Sequence, residues 1–190
     1  MSLSLLAEQG VRETLEHAFH WKKEQGMLVI ADADSELSRL LFQAYQTVVP
    51  EARFLSFELG KEEETLAAIN ACVANQLVVL IQSANFRLNE FRIRIELFKK
   101  KIQVIEYVHL ARMTPDQYET YLKTLCYDRE YYHTMGAALK RKIDSASHIR
   151  VECEGTILNY TSPMEDAKLN IGDYTGMENV GGTYPIGEVF

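Results

Sequence analysis

The sequence predicts an α/β protein: a mostly parallel sheet with helices on both faces, followed by a β-hairpin and a glycine-rich C-terminal loop. Three observations predict it. Met27-Leu28-Val29-Ile30-Ala31 and Leu77-Val78-Val79-Leu80-Ile81 are short unbroken apolar runs, the pattern of strands buried on both faces. Between and around them lie segments with apolar residues at helical spacing. Strands that alternate with helices in this way need crossover connections, and crossovers give parallel pairing.

The elements follow in order. Residues 3–24 carry Leu3, Leu6, Val11, Leu15, Ala18 and Phe19 at a helical period, so a first amphipathic helix is expected to end at Gly26. After the strand at 27–31, Asp34 or Ser35 can cap a helix bearing Leu37, Leu40, Leu41 and Tyr45, which stops near Pro50. Residues 53–58 form a shorter strand. Glu62, Glu63 and Glu64 then crowd the first turn of a helix running to about Asn75, where negative charge suits the helix dipole. Beyond the strand at 77–81 come a helix over 92–100 and a strand over 102–108. Thr114-Pro115 opens another helix, with proline at its favoured first position. A longer helix spans 127–145. Segments 149–152 and 156–161 alternate around Glu154-Gly155, which predicts a β-hairpin.

Composition narrows the class. Hydrophobic content of 47% is ordinary for a folded domain, and 190 residues suffice for one full domain plus a partial extension. The net charge of −7 argues against nucleic-acid binding by the surface as a whole. Cys72, Cys126 and Cys153 lie far apart without a CxxC, so a reducing compartment is expected rather than a disulfide framework. The start lacks a basic n-region and long apolar core, and no apolar stretch suits a membrane span. A cytoplasmic protein is the expectation. Six of the ten glycines follow residue 150, and seven acidic residues face one lysine over 151–190. A boundary near residue 147 is therefore expected, with an α/β domain over 1–147 and a second region over 148–190.

Several clusters invite a functional reading and have a plainer one. Ala31-Asp32-Ala33-Asp34-Ser35 sits at a strand-to-helix turn, where open α/β sheets bind ligands. It has neither GxGxxG nor GxxxxGK[ST], so capping and turn formation by Asp32 and Asp34 is preferred. His17 and His20 stand three apart, yet nothing nearby completes a metal site; an ordinary helix face beside Trp21 is preferred. His109, His133 and His148 are isolated. Residues 85–101 hold Arg87, Arg92, Arg94, Lys99, Lys100 and Lys101 against Glu90 and Glu96, with Phe86, Phe91, Ile93 and Phe98 interleaved. A nucleic-acid groove has that look, but an amphipathic helix with a solvated basic face is the commoner meaning. Tyr118, Tyr121, Tyr127, Tyr131 and Tyr132 suit a core edge or an oligomer interface. In the tail, glycine and proline flank a lone carboxylate, Glu188; such a frame can aim an oxygen at a cation, although a loop with one glutamate is commonplace.

One resemblance adds to this. Asn179 followed by Pro185-Ile186-Gly187-Glu188-Val189-Phe190 resembles the signature of the thermophilic metalloprotease family, which contains aminopeptidase T, aminopeptidase S and related leucyl aminopeptidases. Gly155-Thr156 and Leu158 are similar to the family's Gly-Thr-x-Leu strand. The order of α/β domain, hairpin and Gly-Glu-Val-Phe loop agrees over the whole chain, while the motifs cover about residues 149–190. The resemblance implies that Glu188 is a ligand of a two-metal centre, zinc or cobalt, in an enzyme that releases N-terminal residues from peptides. It also implies that the other ligands belong to the family's C-terminal half, so these 190 residues are expected to be an N-terminal portion without activity by themselves. Gly181-Gly182-Thr183 lengthens the separation between Asn179 and Pro185 relative to the compact family motif, which suits a divergent branch. The same superfamily includes an iron enzyme, 2,5-dihydroxypyridine dioxygenase. A non-catalytic α/β module that binds a partner, or dimerises through its front helices and tyrosine-rich segment, is the alternative. A homodimer is expected from the family; nucleic acid and membrane are not expected partners.

Overall fold

The computed structural model describes residues 1–58, 61–86, 88, 93–161 and 165–190. These residues divide into two compact units, 1–127 with 173–185, and 128–172 with 186–190. The helix over 129–144 and the hairpin thus share a unit, and the expected boundary near residue 147 falls inside it rather than between units.

The first unit is built on a five-stranded sheet. Its strands are β1 (Met27–Ala31), β2 (Arg53–Ser56), β3 (Leu77–Ile81), β4 (Gln103–Tyr107) and, from the far end of the chain, β8 (Gly181–Tyr184). They lie in the order β2-β1-β3-β4-β8, and every pair is parallel. Side chains alternate across such a sheet, and the register puts Leu28, Val78 and Val104 on one face in a row. That face carries a core completed by Ala68 and Ile69 of α3 (Glu62–Asn70) and by Ile93 and Leu97 of α4 (Ile93–Lys99). On the other face Val29, Val79 and Ile105 form the matching row. The helices α1 (Leu3–Glu13), α2 (Glu36–Val48) and α5 (Tyr118–Leu125) belong to this unit, α1 packing on both α2 and α5. Since β1 and β3 are buried residue for residue, their continuous apolar composition is a requirement of position.

The first helix departs from its expected extent. Its α-helical part stops at Glu13, a π-helical turn covers Thr14–Ala18, and the chain leaves the helix at His20, whose φ is +49°. The cause is tertiary. Buried Thr14 donates its hydroxyl to the carbonyl of Leu125, and a Cβ at Gly10 would lie only 2.8 Å from Leu125 Cβ. Close approach of α1 to α5 therefore overrides the helical period, as packing often overrides local preference.

The glycine-rich tail was expected to be a loop. Instead its Gly181–Tyr184 segment adds a parallel strand beside β4. In place of a side chain at Gly181 a Cβ would run into the carbonyl of Val104, and φ there is +104°, so only glycine permits this approach.

The second unit holds α6 (Arg129–Asp144), whose N-terminus is capped by the Asp128 carboxylate accepting from the Tyr131 amide at 2.9 Å. It also holds the antiparallel hairpin β5 (Ile149–Cys153) and β6 (Thr156–Tyr160), and a short antiparallel pair, β7 (Leu169–Asn170) with β9 (Glu188–Val189). The hairpin turn falls at Glu154-Gly155 as expected, with Gly155 at φ +74°. Among the described residues, no helix is long and apolar enough to cross a membrane.

Candidate functional site

Two places have the chemistry to be sites. One lies at the C-terminal edge of the five-stranded sheet, the other at Glu188.

At the sheet edge, the turn after β1 and the residues after β3 form a buried polar cluster. Ser35 caps α2, its Oγ accepting from the Ser38 amide at 3.2 Å. Asp32 Oδ2 accepts from the Ser83 amide at 2.8 Å, which ties the two strand ends together. Ser83 Oγ lies 2.8 Å from Ser35 Oγ and 2.9 Å from Ser38 Oγ. The preferred reading, capping and turn formation by Asp32 and Asp34, holds for the turn, where Asp32 Oδ1 accepts from the Asp34 amide at 3.4 Å, but the cap is Ser35.

One strand further along, Gln82 and Glu106 join a second network. Gln82 Nε2 donates to Glu106 Oε1 at 3.0 Å, and its Oε1 accepts from the Phe86 amide at 2.7 Å. Arg94 donates to Glu106 Oε2 at 3.0 Å and to Thr183 Oγ1 at 2.7 Å. Gln82, Arg94 and Glu106 border a groove of about 240 Å3 with Asn85, Phe86 and Ile93. Of the basic stretch, Arg94 is thus spent on Glu106, Lys99 on Glu96 and Lys100 on Asn70. The plainer meaning is an amphipathic helix with a solvated basic face; Lys99 is exposed as that requires, whereas Arg94 is engaged by Glu106 and Thr183. Arg87, Glu90, Phe91 and Arg92 lie outside the described residues.

The tyrosines are chiefly interior. Tyr118, Tyr121 and Tyr127 are buried in the first unit, and Tyr131 of the second is exposed. The sequence offers no spacing that would reveal a larger group: Tyr45 and Tyr107 pair their hydroxyls at 3.0 Å, Tyr174 and Tyr184 at 2.9 Å, and the rings of Tyr107 and Tyr184 meet edge to face. Burial raises the pKa of Tyr45, Tyr107, Tyr121 and Tyr184, and pushes Tyr174 up to about 12, although its bond to Tyr184 acts the other way. A folded-state pKa above the ordinary 10 contributes stability that is whole below pH 10 and is lost as pH rises toward 12. Alkaline unfolding in that window is the expected result, with tyrosinate absorbance and loss of circular dichroism rising together. Ionisation of all ten tyrosines near pH 10 with the fold intact would contradict it.

In the second unit, Glu188 sits on β9 opposite Asn170, whose side-chain amide donates to Glu188 Oε2 at 3.2 Å. Gly187 fixes the approach: its amide donates to the Asn170 carbonyl at 2.9 Å, its φ is +122°, and a Cβ there would lie 2.6 Å from Tyr132 Cε1. The carboxylate is exposed. Beside the strand, Tyr131, Tyr132, Met135, Leu139, Ile171 and Val189 line an apolar groove of about 320 Å3. Strand alternation places Glu188 on the side opposite Val189, so the carboxylate does not project into that groove.

The structure does not gather a ligand set around Glu188. Among the described residues, no group of three or more histidine, cysteine, aspartate or glutamate side chains is placed to hold a metal ion. His17 and His20 acquire no such company, and His148 instead meets Asn159 Oδ1 at 3.2 Å. All three cysteines are free. The described residues therefore do not by themselves fit a zinc or cobalt centre. Fold and site define an open α/β protein with strand order β2-β1-β3-β4-β8 in its parallel sheet and a second unit that carries Glu188. Comparison with protein families, curated proteins and solved structures finds no match to this chain.

Proposed function

We propose that these residues are the N-terminal portion of an aminopeptidase-like metallohydrolase, in which Glu188 is one ligand of a divalent-metal centre. The observation that carries this reading is the resemblance of Asn179 and Pro185–Phe190 to the thermophilic metalloprotease signature. Two features of the fold are compatible with it. Gly187 holds the chain where no other residue fits, and Asn170 meets one carboxylate oxygen, so the Glu188 side chain has a defined setting and an exposed face. A single carboxylate cannot hold a hydrolytic metal, which normally takes three protein ligands. On this reading the others come from residues of the complete enzyme outside this chain, and no chemical step is assigned to the residues described.

The test is Glu188→Gln in the product of the full reading frame, with Glu178→Gln, another exposed acidic residue of the tail, as control. The first is expected to lower metal affinity and peptide hydrolysis by at least about a hundredfold, the upper end of the loss when only a group orienting a ligand is removed; the second leaves both unchanged. Equal metal content and activity in the Glu188 variant would overturn the reading.

A second reading is a non-catalytic α/β module that binds a partner or dimerises. The tyrosine-rich segment is a poor candidate for its partner surface, because Tyr118, Tyr121 and Tyr127 are buried.

A further inference from the structure

We draw no further inference here: the strongest candidate, the apolar groove that Tyr132, Met135, Leu139, Ile171 and Val189 line along α6 of the second unit, is an unpartnered apolar face, and nothing in the structure shows what covers it.

Discussion

Gly181→Ala is expected to release β8 from the sheet and to cost roughly 3 kcal/mol of stability, combining backbone strain with overpacking. The position is demanding twice over. Its φ of +104° is a conformation that residues with a Cβ rarely adopt, and the added methyl would meet the backbone carbonyl of Val104. Backbone cannot move aside as the end of a long side chain can, since that carbonyl belongs to a central run of β4 paired with β3 on its other side. Release of β8 would also free Thr183 from Arg94 and Tyr184 from Tyr174. Urea unfolding followed by circular dichroism measures the loss. Gly182→Ala is the comparison, because open space surrounds a Cβ at Gly182, leaving backbone strain as its main cost. Equal stability of the Gly181 variant and the wild type would show that β8 is not held as described.

Leu80→Ala is expected to cost about 3 kcal/mol, within the range for a fully buried leucine truncated in a packed core. Leu80 has no solvent exposure and lies next to Ile30 across the sheet, beneath the core shared with α3 and α4. The surrounding strand is paired on both sides, so the cavity has little freedom to collapse. Two residues on, Gln82 anchors Glu106 and through it Arg94, so loosening this strand also disturbs the groove at the sheet edge. The unfolding midpoint in urea reports the loss; a change below about 1 kcal/mol would place Leu80 outside a tightly packed core.

Much of this fold was legible because its central strands advertise themselves. A run such as Leu77–Ile81 has few alternatives to a doubly covered strand, and Ser35, Pro115 and Glu154-Gly155 mark element boundaries by local chemistry that packing did not override. What escaped was tertiary in origin. Gly181-Gly182-Thr183-Tyr184 has no apolar run and a composition that disfavours strands, yet it pairs with β4, which precedes it by more than seventy residues. The first helix yields to the approach of α5 at Gly10 and Thr14, a contact no local period records. The buried tyrosine pairs join residues from α2, β4 and β8. For the site, the sequence singled out Glu188 through its motif, and the structure adds why Gly187 precedes it. The sheet-edge network of Gln82, Glu106, Arg94 and Thr183 had no sequence signal, because its members are far apart and individually ordinary.

Metal and peptide are tested together by metal analysis and aminopeptidase assay of the purified product of the full reading frame. Bound zinc or cobalt in stoichiometric amount is expected, with release of N-terminal residues from a peptide that stops on chelation and returns with the metal. A full-length product that binds no divalent metal and cleaves no peptide would contradict it, and stoichiometric iron with ring-cleaving activity would move the chain to the dioxygenase branch.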